Sequence, residues 1–101
     1  MSDVVWSVIK YKPKDGCEDE FVEALGRLKE IMKDKEGQRE TNFVRLDTGE
    51  IAQITRFNSL DVLIDGQIDG LTWLDSVDHL LEKDEEGSRT QAFSGFQLDI
   101  E

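Results

Sequence analysis

Apolar residues along the chain follow two different periods. Residues 4–12 (VVWSVIKYK) are rich in β-branched and aromatic types and end at Pro13, which predicts a strand. The period then lengthens: Phe21, Ala24, Leu25, Leu28, Ile31 and Met32 recur at three- and four-residue spacing, the apolar stripe of an amphipathic helix. Glu18, Asp19, Glu20 and Glu23 load its first turns and Lys29, Lys33 and Lys35 its last, which complements the helix dipole. Asp15 with Glu18 fits a capping box, Cys17 is the other candidate for the first residue, and Gly37 reads as the stop. TNFVRLDTGEIAQITRF predicts two strands around Asp47-Thr48-Gly49-Glu50. Ser59 then caps a short helical turn through Leu60, Val62 and Leu63, and the two Asp-Gly pairs of IDGQIDG predict an irregular link. A second helix is expected from Leu71, with Leu71, Leu74, Val77, Leu80 and Leu81 on one face. After the polar loop KDEEGSR, TQAFSGFQLDI predicts a last strand dominated on one side by Ala92, Phe96, Leu98 and Ile100.

The order strand, helix, strand, strand, helix, strand runs over one expected domain, residues 1–101. Each helix links two strands and the middle strands form a hairpin. The simplest solution is α+β: a four-stranded antiparallel sheet with both helices on one face, the ferredoxin-like βαββαβ sandwich. Two helices cover one face, and a face left in water should be polar at every second residue. It is not: Val4, Trp6 and Val8 point one way, and Val5, Ile9 and Tyr11 the other. In the hairpin, Val44, Leu46, Ile51 and Phe57 are expected on one side, and Phe43, Ala52 and Ile54 on the other. The pattern predicts a homodimer joined through the open sheet faces. If the hairpin turns on Thr48-Gly49, residue 45 opposes residue 52, which assigns the interface to the face with Phe43, Arg45, Ile54 and Arg56. Two arginines on an apolar face call for carboxylate partners or an anionic ligand.

Charge narrows the classes of function. Twelve basic residues against 23 acidic ones give a net charge of -11, which repels nucleic-acid backbones and anionic membrane surfaces alike. From Phe57 onward only Lys83 and Arg89 are basic, so the excess sits in the second half, either as a solvated face or as a docking face for a basic partner. No apolar run reaches the roughly 20 residues of a membrane span, and the opening residues lack the layout of a signal peptide, so a cytoplasmic protein is expected. Cys17 is the only cysteine, which excludes an intrachain disulfide or a cysteine-built metal cage.

Candidate chemistry is sparse. There is no Gly-rich phosphate loop, no HExxH, no calcium-loop spacing and no nucleophile elbow. His79 is the only histidine and falls in the second predicted helix, with Asp75 and Asp78 near it; carboxylates are too abundant here for that proximity to define a metal site. His79 and Tyr11 are the candidates for a catalytic proton acceptor. A pocket between the sheet and the second helix would take apolar walls from Trp6, Phe57 and Trp73 and polar contacts from Asn58, Tyr11 and His79.

The stretch VVWSVIKYKPKDGCEDEFVEAL, with the strand ending TRFNSLDVL, resembles the dimeric α/β-barrel proteins, and within them the antibiotic-biosynthesis-monooxygenase group of small domains. The resemblance implies a homodimer that binds a small molecule between sheet and helices. It also implies oxidation of an electron-rich aromatic or quinol without a cofactor or metal. The group often carries a Trp at the end of the third strand and a His about nine residues later; this chain has Phe57 and, approximately, Gly66 there. The superfamily also holds members without demonstrated catalysis. The alternative function is therefore a non-catalytic dimeric module whose acidic second half docks a protein partner.

Overall fold

The computed structural model describes residues 3–33 and 39–100. Strand β1 (Val5–Tyr11) leads into helix α1 (Glu18–Ile31), the hairpin β2 (Arg39–Arg45) and β3 (Ile51–Phe57), helix α2 (Leu60–Val77), a 3₁₀ turn at Asp78–Leu80, and strand β4 (Thr90–Phe96). The strands form one antiparallel sheet in the order β2-β3-β1-β4, with β1 beside both β3 and β4. This is the expected ferredoxin-like α+β arrangement.

Helix α1 buries Phe21, Ala24, Leu25 and Leu28, while Ile31, at the end of the predicted stripe, is exposed. Cys17 occupies the N-cap with no side-chain cap bond, so the Asp15–Glu18 capping box does not form. The helix closes at Met32, and Gly37 lies outside the described residues. The core closes between the helices and the sheet. Tyr11, Phe21 and Trp73 form an aromatic cluster with ring centroids 5.1 to 6.0 Å apart. Trp73 Nε1 donates to the Ala24 carbonyl at 2.9 Å and ties α2 to α1. A bridge between Pro13 and Leu81, with Lys14 N–H donating to Leu80 O at 2.8 Å, anchors the segment after α2 to the end of β1.

Two local expectations are overturned. The stretch IDGQIDG is no link: α2 runs through both Asp-Gly pairs. Glycine costs about 1 kcal/mol per helical position, and packing outweighs it, because Leu63, Gly66, Gly70, Trp73, Leu74 and Val77 share the face turned toward the sheet. Leu71, expected on that face, is 55% exposed. Ser59 is the N-cap, without a side-chain bond.

The hairpin register also differs. Arg45 pairs with Ile51, and the connection spans residues 46–50, closed by Leu46 N–H to Glu50 O at 2.8 Å and Gly49 N–H to Leu46 O at 3.0 Å. Gly49 takes φ 89, a backbone conformation that favours glycine. A one-residue change of register moves every side chain to the other face. Phe43 and Arg45 therefore stand on the helix-covered face with Ile51 and Phe57, while Val44, Ala52, Ile54 and Arg56 stand on the open one. Both arginines have carboxylate partners: Arg45 meets Glu18 at 2.6 Å and Arg56 meets Glu40 at 4.0 Å. Strand β4 ends at Phe96; beyond it Gln97 N–H still donates to Val4 O at 2.9 Å, and Leu98 and Ile100 are exposed.

Candidate functional site

A cavity of about 420 Å³ opens between the helix-covered face of the sheet and α2. It exists because the facing sequence is small where the two layers would otherwise meet. Gly66 and Gly70 lie on the inner side of α2, and nothing lies within 4 Å of where a Cβ on Gly70 would stand. Its apolar walls come from Ile9, Leu28, Phe57, Leu63, Trp73 and Leu74.

The floor is polar in a regular way. Strand pairing places Thr41, Thr55, Ser7 and Ser94 on a single rung that crosses all four strands. Thr41 and Thr55 hydroxyls lie 3.1 Å apart, and Thr55, Ser7 and Ser94 line the cavity. On the next rung Gln53 is buried and accepts a hydrogen bond from the Tyr11 phenol at 2.7 Å. Burial pushes the Tyr11 phenol well above its ordinary pKa. Tyr11 is thus a protonated donor at neutral pH, and accepting a proton would require it to ionise where burial most opposes the charge. One rung to the other side stands Arg39, which also lines the cavity; its Nη2 donates to the Met32 carbonyl at 3.4 Å.

The sequence-predicted pocket residues divide. Tyr11, Phe57 and Trp73 come together around the cavity. Trp6 does not: even-numbered residues of β1 face away from the helices, and Trp6 is 39% exposed on the open face, donating from Nε1 to Gln97 Oε1 at 2.8 Å. Asn58 is exposed just past β3 and accepts from Arg56 at 3.0 Å. His79 is exposed in the 3₁₀ turn, outside the cavity lining. Its neighbours Asp75 and Asp78 are held by Arg89 at 2.6 and 3.0 Å, and Lys83 also meets Asp78 at 3.0 Å. Those two cations keep the Asp78 carboxyl below its ordinary range. Among the described residues no three His, Cys, Asp or Glu side chains gather as a metal site would require. No described helix is long and apolar enough to cross a membrane.

A wider groove of about 860 Å³ lies at the Tyr11 end of β1, with Lys10, Lys12 and Lys83 on its walls. These cations are matched by Glu50 at 3.9 Å, Glu82 at 3.4 Å and Asp78 at 3.0 Å, which makes it a solvated set of ion pairs with little apolar wall.

Sequence reasoning missed Arg39, Gln53, the hydroxyl rung and the two glycines. A signal existed for all but Arg39: a hydroxyl or amide at alternate strand positions, and glycines four residues apart shortly before Trp73.

No protein-family model matches the sequence, and no curated protein does. Solved structures match over nearly the whole chain. Rv0793 from Mycobacterium tuberculosis is 17% identical with a TM-score of 0.75, covering 96% of this chain and 97% of that one. SnoaB, a cofactor-independent oxygenase from Streptomyces nogalater, is 13% identical with a TM-score of 0.77, covering 98% and 97%. A candidate antibiotic biosynthesis monooxygenase from Bordetella bronchiseptica is 11% identical with a TM-score of 0.72, covering 96% and 99%. At these identities the likeness is one of architecture, and the chain has the ferredoxin-like fold that antibiotic-biosynthesis-monooxygenase-like structures share.

Proposed function

We propose that this protein binds a small, largely flat apolar molecule between its sheet and α2, and that it oxygenates an electron-rich aromatic or quinol without a cofactor. The observation that carries the binding reading is the 420 Å³ cavity beside Trp73, with apolar walls and a hydroxyl-lined floor. A solidly packed interior would have favoured a purely structural module. The oxygenation reading draws on the fold shared with SnoaB. In such a reaction one atom of O₂ enters the ring and the other leaves as water, with every electron supplied by the substrate. Tyr11 would hold the Gln53 amide in place at the cavity wall through the proton it already donates, and His79 would have no part in the step. Phe57 stands where the family often has Trp, so it supplies a wall but no donor.

The assembly that goes with this reading is a homodimer through the open sheet face, built on Trp6, Val8, Val44, Ile54 and Phe93 with Arg56 at its edge. Val44 and Phe93 are 42% and 60% exposed, an apolar extent that twofold association would bury. Oxygen uptake with a panel of quinols and phenols is the decisive experiment, run beside a binding titration that follows tryptophan fluorescence. Uptake that depends on Phe57 and Trp73 is expected. Binding without turnover by any of the panel would remove the oxygenase and leave the ligand site.

A second reading is favoured by the outward side of α2, where Leu60, Ile64, Ile68 and Leu71 are exposed beside Asp61, Asp65 and Asp69. An apolar stripe with an acidic border fits a basic amphipathic helix of a partner protein. Its test is whether Ile64→Glu with Ile68→Glu abolishes binding of a synthetic Lys/Leu amphipathic helix.

A further inference from the structure

We infer that Gly70 sets which ligands the cavity takes: the side chain it lacks leaves room for a flat fused-ring compound, bearing an acceptor oxygen, to lie against the backbone of α2. The inference rests on the cavity being a ligand site and names the class of ligand. Gly70 stands inside α2, where glycine is the poorest choice after proline. Two ordinary reasons for a glycine are absent. Its backbone is helical, with no positive φ for a side chain to oppose. No close approach requires it either: apart from its chain neighbours and the helix backbone, no heavy atom lies within 4 Å of where a Cβ would stand. Gly66, one turn earlier, differs, because a Cβ there would stand 2.5 Å from Arg39 Nη1. The space in front of Gly70 is the cavity.

That space stays open because the large side chains beside it are tied elsewhere. Trp73, one turn on, donates from Nε1 to the Ala24 carbonyl at 2.9 Å and packs against Tyr11 and Phe21 at 6.0 and 5.9 Å between ring centroids. Tyr11 is held in turn by Gln53 at 2.7 Å. Side chains anchored in this way do not swing across to fill a gap.

A second observation, on the sheet side of the same cavity, points to a ligand. Gln53 is 7% exposed, and its Oε1 takes the proton of the Tyr11 phenol, the one hydrogen-bond partner that side chain has among the described residues. With the carbonyl end committed, Nε2 carries two N–H donors and no protein acceptor there. Buried donors left so are costly, and Gln53 lines the cavity, so an oxygen of the ligand is the acceptor they suit. Sheet and helix therefore ask different things of one molecule. It turns an acceptor oxygen toward β3 and an apolar ring face toward Gly70, between Leu63 and Leu74.

The test uses two ketones, acetophenone and 2-acetonaphthone, which carry the same acceptor oxygen on one ring or on two. Both are titrated by calorimetry against the native chain, Gly70→Ala, Gly70→Leu and Gly26→Ala. Gly26 is an exposed glycine of α1 outside the cavity lining, and serves as the control. The native chain should bind 2-acetonaphthone about tenfold more tightly, through the extra ring it buries. Gly26→Ala and Gly70→Ala should each raise the melting temperature by roughly 4 °C, as alanine does in a helix. Only Gly70→Ala should lose the preference for the second ring, with acetophenone held within about twofold of native, and Gly70→Leu should abolish binding of 2-acetonaphthone. Gly70→Ala keeps the test decisive if Gly70→Leu fails to fold. A preference that survives in Gly70→Ala, an equal loss of both probes, a fall in its melting temperature, or a native chain indifferent to the second ring overturns the role of Gly70 and leaves the cavity as a ligand site. Failure of both probes to bind the native chain overturns the cavity reading itself, and this inference with it.

Discussion

Replacing Tyr11 by Phe isolates one buried hydrogen bond. The ring would keep its places 5.1 Å from Phe21 and 6.0 Å from Trp73, while Gln53 Oε1 would lose the phenol that donates to it at 2.7 Å. Tyr11 and Gln53 are both buried, at 3% and 7% exposure, so the orphaned carbonyl should cost about 1–3 kcal/mol. For a chain of this length that is a fall of roughly 10 °C in Tm. Adding Gln53→Leu removes the stranded acceptor, and the double variant should recover most of the loss, with a coupling of about 1 kcal/mol or more. Urea unfolding followed by circular dichroism, at one fixed protein concentration, measures all four corners of the cycle.

The same pair governs behaviour in alkali. Burial raises the pKa of Tyr11 in the folded state above that of the unfolded chain, so the folded form binds the extra proton. Its contribution is complete below the unfolded value of about 10 and is lost as pH rises beyond it. Tyr11 is the only tyrosine, so the phenolate absorption band reports this one group. The band should appear together with unfolding, and Tyr11→Phe should flatten the alkaline slope of stability. Reversible ionisation near the ordinary value with the fold intact, or a Tyr11→Phe cost well under 0.5 kcal/mol with additive behaviour, would refute the reasoning: water in the cavity would then be satisfying Gln53.

Other outcomes are open to direct measurement. Ile54→Asp places a charge in the proposed dimer face and should release monomers in sedimentation at micromolar concentration; a native protein that already runs as an 11.6 kDa monomer would refute the assembly. Phe21→Ala empties a fully buried position and should cost about 3–5 kcal/mol by urea unfolding; a cost below about 1 kcal/mol would contradict the core described here. Because Lys83 and Arg89 lower the pKa of Asp78, that carboxylate's contribution is present at neutral pH and is lost as pH falls through the lowered value. Asp78→Asn should therefore flatten the acid limb of the stability profile. At about pH 8 moderate salt should raise the melting temperature, since the net charge of -11 is self-repelling; a fall would show that specific ion pairs outweigh repulsion.

By itself the sequence determined the order of elements and the fold class, because the period of apolar residues is a local property. β1, α1 and the hairpin strands each carry a clear period, and their order leaves one simple way to cover a sheet with two helices. The sequence left open whether Arg45 and Arg56 would meet carboxylates or an anionic ligand, and the structure supplies Glu18 and Glu40. What tertiary structure decided are the features in which local preference competes with packing. The Asp-Gly pairs of α2 look like breaks, and become helix because the face that holds their glycines packs through Leu63, Trp73 and Val77 against the rest of the fold. The connection of residues 46–50 set the hairpin register, and that one-residue difference moved Phe43 and Arg45 to the covered face. Trp6 and Trp73 are equally aromatic in sequence, yet strand parity turns Trp6 outward while Trp73 enters the core. The cavity was the least legible feature, since a void is made by what two distant segments fail to fill: small residues of α2 facing hydroxyls that four strands contribute one at a time.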